Sequence, residues 1–368
     1  MEINTLLNKF REFCTKHKYG LKSPTGLLSP VFPNEFNVSG GHNYSMEFLN
    51  SSTRIAPSVK YSLFERTFRR IDLERVGYSN HHLSFFQVAL FAYTGDQELV
   101  GEFMQEGVTH MKSFITEALG IPKERLLITV FDGGKVKDFV IPKEPFLKQW
   151  LSAGFSQRQI IPIRGRRNLI FSEIEGAAVC PTCEIFFDKG ETSREGDRFV
   201  EIGSLNLYKY LYSQRKNKLI IPDNWVLNSI VGIERLLMVL QDKWTIFNID
   251  CIYPLITIIQ RNFSNPLEIE LYNSSVKIIA DTIRSITFIC ADGVEIDSTP
   301  QGKILKKLIK QLVSQMRYLN ILDIAPIEEC IGQIAMSHKD LYPNLLKVKD
   351  KVIDLISMEI KTRMEHYR

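Results

Sequence analysis

GDRFVEIGSLNLYKY (196–210) and VLNSIVGIERLLMVLQ (226–241) are the segments on which the architecture turns. The first reads as an apolar strand with one acidic residue, Glu201. The second carries one arginine, Arg235, at the start of an apolar-faced helix. About thirty residues separate the two, with hydrophobic segments on both sides. A sheet and a helix that bring a carboxylate and a fixed guanidinium together suit a magnesium nucleotide. The carboxylate can hold the hard cation through oxygen. The guanidinium keeps its charge at any working pH and can bind phosphate or lie flat on a purine.

Working outward, strands dominate the first part of the chain. Residues 20–60 are rich in Pro, Gly, Ser and Asn and read as short strands and loops. SNHHLSFFQVALFAY (79–93) predicts a buried strand, and LLITVF (126–131) another. Between them, ELVGEFMQEGVTHMKSFITEALG (98–120) predicts a helix stopped by a glycine. IIPIRG, NLIFSEI, EIFFD and RFVEIGSL follow as strands separated by turn residues. From about 250 the pattern becomes helical: CIYPLITIIQRNF, SSVKIIADTIRSITFICADG, QGKILKKLIKQLVSQMRYL and two more helices. Strands first and helices afterwards predict an α+β domain over 1–248 and a helical domain over 249–368.

The composition fits an ordinary globular chain. It has 368 residues, 44% hydrophobic and 24% charged, enough for two domains and a sizeable core. A formal charge of +4 neither requires nor excludes a nucleic-acid partner. Six scattered cysteines do not make a disulfide scaffold, which points to a reducing, cytoplasmic setting. The N-terminal segment is charged throughout, unlike a signal peptide. Its Leu6, Phe10 and Phe13 instead predict an amphipathic helix. No run approaches the length needed to span a membrane.

Several other residues invite a chemical reading. Arg66 lies in FERTFRRIDLERVGYSNHHLSFF (64–86), a hairpin pattern with cations at its base. It suits an α-phosphate, with Phe86 or Phe85 stacked on a base; the alternative is a basic surface hairpin. Glu201, with the Ser204 hydroxyl, suits a metal; the alternative is a salt bridge to Arg198 or Lys209. Cys180 and Cys183 form a CxxC with no second pair, so a structural zinc lacks its other ligands. The thiols are expected to pack on or beside a strand. Lys303, Lys306, Lys307, Lys310 and Arg317 oppose a stripe of Ile304, Leu305, Leu308 and Leu312. That basic face is either solvated or a contact for a phosphate backbone.

Taken in order, the segments resemble the N-terminal half of alanyl-tRNA synthetase, a class II aminoacyl-tRNA synthetase. The likeness rests on FNVSGGHNY (36–44), DLERVGYSNHH (72–82), Gly95-Asp96, CPTCEIFFD (180–188), GDRFVEI (196–202), GIERLLMVLQ (232–241) and IIADTIRSITFICADGV (278–294). It runs from about residue 3 to about residue 320. It implies an antiparallel sheet flanked by helices, an adenylation domain, followed by part of a helical tRNA-recognition domain. ATP and Mg2+ are the implied cofactors. Arg66 matches the α-phosphate arginine, beside a loop of different length that lacks the usual glycines. Phe86 matches the adenine-stacking ring, Arg235 the late arginine against the nucleotide, and Glu201 the strand glutamate.

The amino-acid half departs from the family. Asn228 stands where the family has an Asp for the substrate ammonium. Ser204 stands where it has an Asn near the carboxylate. Ile170 or Phe171 stands where a tryptophan lines the alanine pocket. A buried ammonium without its carboxylate costs about 3–5 kcal/mol. Either Glu173, Glu175 or Glu184 replaces the lost acid, or the bound group differs. The rest of the tRNA-recognition region, the editing domain and the C-terminal domain of the family have no counterpart here. The resemblance therefore implies a free-standing paralogue that forms an aminoacyl adenylate of a small amino acid and passes the acyl group on. The acceptor is tRNA, a carrier-protein thiol or a small molecule. The basic helix and the ADTIRS segment (280–285) favour tRNA. The altered pocket leaves a second expectation, a regulatory protein that binds ATP or tRNA without catalysis.

Overall fold

β-branched and aromatic residues build the main sheet. The computed structural model describes all residues except 31–32, 52–57, 191–197, 264–265, 322 and 366–368. Its chain divides into two units. The first comprises Met1–Thr25, Ser39–Glu65 and Gln87–Leu240. The second comprises Gly26–Val38, Arg66–Phe86 and Gln241–Arg368.

The first unit is organised by strands Val59–Phe68, Phe85–Asp96, Asn224–Gly232, Phe199–Tyr208 and Ala178–Asp188, adjacent in that order. The last four pair antiparallel. Leu126–Phe131 adds to the Ala178–Asp188 strand antiparallel and to Ile160–Ile163 parallel. One face is apolar. Helix Ile3–Lys16 buries Ile3, Leu6, Leu7, Phe10, Phe13 and Cys14 against it, an extension of the expected stripe. The Phe10 ring lies 5.1 Å from Phe64 and 6.4 Å from Phe91. Helix Val100–Ser113 joins that layer, with Gly107 close against Leu227. Helix His42–Leu49 covers part of the other face, where Tyr44 and Phe48 meet Tyr61. Elsewhere that second face carries Glu201, Ser204, Glu184, Thr182 and Asn206 among apolar side chains such as Ile230 and Phe186.

The second unit is helical: Tyr253–Gln260, Pro266–Leu271, Asn273–Ala291, Pro300–Tyr318, Ala325–Ser337 and Leu345–Glu365. It also takes in two early segments, which a single cut near 248 does not anticipate. The reason is a buried polar network. Asp281 accepts from the Ser84 backbone N–H at 3.1 Å and from the Ser84 hydroxyl. Arg284 donates to the Phe85 carbonyl at 3.3 Å, and Phe85 stacks on Phe288 with centroids 4.1 Å apart. The ADTIRS segment is therefore interior: Asp281, Thr282, Arg284 and Ser285 are all buried. It supplies no surface for RNA. Lys303, Lys306, Lys307, Lys310 and Arg317 do lie exposed, while Leu305, Leu308, Ile309, Leu312, Val313 and Met316 are buried. Among the described residues, no helix is long and apolar enough to cross a membrane.

Candidate functional site

In an antiparallel pair, residues directly opposite one another share a face of the sheet, and so do positions two apart along a strand. Ser204 lies opposite both Glu184 and Ile230, and Glu184 lies opposite Thr129. Glu201 is three positions from Ser204, so a regular strand would turn it to the opposite face. A bulge prevents this. Glu201 pairs with Phe186 and Gly203 with Ile185, which leaves Ile202 as the extra residue. Glu201 thereby joins Glu184 and Ser204 on the polar face.

Arg235 comes from the first turn of helix Ile233–Leu240, directly after strand Asn224–Gly232. Its Nη1 donates to Glu201 Oε2 at 3.0 Å and to the Glu201 carbonyl at 3.1 Å. The two expected site residues are thus brought together, and each keeps part of its side chain in solvent, 23% for Arg235 and 39% for Glu201. Burial, reinforced by the Glu201 charge, pushes the Glu184 carboxyl up to about 7. Arg167, a hydrogen bond with Thr129 and Arg235 oppose that rise. The donor set of Glu201, Glu184 and Ser204 consists of oxygen atoms, which fits a hard cation such as Mg2+.

Arg66 belongs to the helical unit. Its Nη2 is 2.7 Å from Asp292 Oδ1, its guanidinium covers the Tyr342 ring at 4.6 Å, and both members of the pair are almost fully buried. Its predecessor Glu65 faces into the first unit, where it accepts from the Gly41 N–H and the Thr25 hydroxyl. The expected α-phosphate ligand is therefore engaged with a carboxylate of its own unit. Phe86 has the Arg69 guanidinium over its ring at 5.0 Å. Asn228 is fully buried, and its Nδ2 donates to Ser45 Oγ at 2.8 Å. Gly41 packs against it with φ +74°, and a Cβ there would fall 2.4 Å from Nδ2.

Of the two candidates for the missing tryptophan, Ile170 lies opposite Cys180 and so shares the polar face. Phe171 packs into an apolar cluster, 5.4 Å from the Tyr212 ring. Of the three candidate acids, Glu173 pairs with Lys137 at 2.9 Å. Glu175 accepts from the Arg215 N–H at 3.0 Å and the Ser213 hydroxyl at 3.1 Å. Only Glu184 of the three shares the face with Ser204.

A family model described as tRNA synthetases class II (A) matches residues 47–365, most of the chain. The chain belongs to that family. Curated relatives of this class II synthetase chain include alanine--tRNA ligase of Hydrogenovibrio crunogenus, 28% identical over 349 residues. That match covers 90% of this chain and 38% of the relative. The mitochondrial alanine--tRNA ligase of Dictyostelium discoideum is 26% identical over 376 residues, covering 96% of this chain and 38% of the relative. The chain thus spans little more than a third of the length of these relatives. Among solved structures, the RNA binding domain of threonyl-tRNA synthetase from Cryptosporidium parvum Iowa II has a TM-score of 0.42 at 10% identity. It covers 65% of this chain and 64% of that one.

In this class II synthetase chain the CxxC is a strand feature. Cys180 and Cys183 are three apart on the regular strand Ala178–Asp188, so their sulfurs point to opposite faces and cannot meet one metal ion. Cys183 Sγ accepts from Trp150 Nε1 at 3.4 Å, and burial pushes its thiol up to about 12. No group of three or more His, Cys, Asp or Glu side chains that could hold a metal ion occurs among the described residues. Two polar residues of the site face, Thr182 and Asn206, escape a motif-based reading. The signal for them was present: Thr182 and Glu184, like Ser204 and Asn206, are polar at spacing two within otherwise apolar strands.

Proposed function

We propose that this synthetase unit activates an amino acid with ATP. An oxygen of the substrate carboxylate attacks the α-phosphorus. The acyl–O–P bond forms, the bond from the α-phosphorus to the bridging oxygen breaks, and pyrophosphate leaves. The acyl group then passes to an acceptor. The observation that carries this reading is the Glu201–Arg235 pair on the open part of the polar face.

A partly exposed ion pair is weakened by solvent, so its partners are readily redistributed when a ligand arrives. Arg235 would turn to the nucleotide, and Glu201, with Ser204 and Glu184, would hold the cation. Mg2+, when bound, neutralises charge on the phosphates. The chain's own part is positioning and fixed charge, without a covalent intermediate. Arg66 is assigned a structural task in place of a phosphate contact. The proposed acceptor is tRNA, supported by the exposed lysines at 303, 306, 307 and 310.

Amino-acid-dependent exchange of pyrophosphate into ATP tests the activation step. Arg235→Ala should lower it by about 10²–10³, the usual cost of removing one group that stabilises developing charge. Unchanged exchange removes Arg235 from the site. Product analysis with tRNA and with a carrier protein separates ester from thioester.

A second reading is favoured by two specific observations: Arg66 is locked to Asp292 and Asn228 to Ser45. A protein that binds ATP or tRNA without forming an adenylate would keep the Arg235–Glu201 pair for the nucleotide alone. Nucleotide binding with no exchange across a broad amino-acid panel selects that reading.

A further inference from the structure

One register step from Ser204 the same face carries a second polar row. Asn206 lies directly opposite Thr182 on one side and Asn228 on the other. All three are interior: Thr182 is 4% exposed, Asn206 3% and Asn228 0%. None carries a formal charge. Asn228 uses its Nδ2 on Ser45, and its Oδ1 is buried without a partner. The side chains of Thr182 and Asn206 make no hydrogen bond among the described residues. Beyond Asn228 the row ends at Ala92, which offers only a methyl group.

One buried acceptor without a partner, Asn228 Oδ1, beside two polar side chains that make no hydrogen bond among the described residues, needs an explanation. A buried polar atom left unmet is costly, and native interiors hold few of them. A ligand that supplies the missing partners accounts for the arrangement.

We propose that the row Thr182–Asn206–Asn228 receives a neutral hydrogen-bonding group, a carboxamide or hydroxyl, on the side chain of the amino acid that this unit activates. The inference rests on the activation reading and names the substrate class for it. A carboxamide has two donors and a two-lone-pair acceptor, and a hydroxyl has one donor and two acceptor sites. Either can engage Thr182 Oγ1, the Asn206 amide and Asn228 Oδ1. A methyl side chain can engage none of them and would keep the row unpaired. An ammonium fits worse, because the row contains no carboxylate, and a buried cation without one is strongly disfavoured. The acid nearest in register, Glu184, faces Ser204 in the neighbouring row.

Calorimetric titration with a set of non-hydrolysable adenylate mimics separates this inference from the reading beneath it. The set is adenosine 5′-sulfamate and its alanyl, seryl, threonyl, asparaginyl and glutaminyl N-acyl derivatives. Binding of the parent sulfamate reports the nucleotide site. The ratio of acyl derivatives reports the row. At least one polar derivative should bind about tenfold or more tighter than the alanyl one, since sites built to hydrogen-bond a substrate discriminate strongly against analogues that lack the group. Thr182→Val, nearly isosteric, and Asn206→Leu should each erase that preference. Parent binding with an alanyl derivative as tight as every polar one overturns the inference alone and assigns the row to water. No binding by any compound overturns both readings.

Discussion

Glu65 and Arg66 are consecutive in the chain and serve different units. Successive residues of a strand face opposite ways. Glu65 therefore accepts from Gly41 and Thr25 while Arg66 meets Asp292 and Tyr342. Removing one partner of a buried ion pair leaves the other charge uncompensated. Arg66→Ala should therefore cost about 3–5 kcal/mol, seen as a lower denaturation midpoint. The exposed Arg70→Ala should stay within about 0.5 kcal/mol of the parent. The CxxC follows the same alternation: spacing suggests a shared ligand, and strand geometry sends the sulfurs apart.

At the scale of elements, much of the pattern was legible. The stripe of Leu6, Phe10 and Phe13 forms helix Ile3–Lys16, and the 98–120 helix ends at Gly120 with φ +72°. The strand-to-helix step that presents Arg235 was legible too, because apolar runs and caps are local signals. The phase of a strand was not. Whether Glu65 or Arg66 faces into the first unit depends on pairing partners far away in the chain, and a bulge at Ile202 leaves no compositional trace. For that reason Thr182 and Asn206 were missed, and Glu184 was not separable from Glu173 and Glu175.

Helices Ile3–Lys16 and Val100–Ser113 also bring a polar cluster into the apolar layer. His110 Nδ1 lies 2.7 Å from the Tyr19 hydroxyl and 2.8 Å from that of Tyr93. Burial lowers the His110 pKa from 6.5 to about 4; His17 and Lys60 add to this and Glu106 opposes it. Between those values the unfolded chain binds more protons than the folded one, so stability rises with pH. It should be fully present above about pH 6.5 and fall as the pH drops toward 4. Urea midpoints across that range should show this, and His110→Gln should flatten the slope.

For the whole molecule, the division into units decides how the chain can be cut. Gly26–Val38 and Arg66–Phe86 belong with Gln241–Arg368. A fragment of residues 1–248 would strip Arg66 of Asp292, Ser84 of Asp281 and the Phe85 carbonyl of Arg284. That fragment should bind a hydrophobic dye and show poorly dispersed amide resonances. A well-dispersed spectrum would contradict this. Composition revealed the change from strands to helices but not the two early segments, because their partners are set by side chains in distant helices. The Leu27 N–H finds its acceptor in Asp292, 265 positions later. On the ribosome, the first third of the protein therefore emerges with pieces whose counterparts have yet to be translated. Closing such distant pairings is slow and leaves nascent surface open to aggregation, so the order of synthesis gives this chain a built-in waiting period before its helical unit can close.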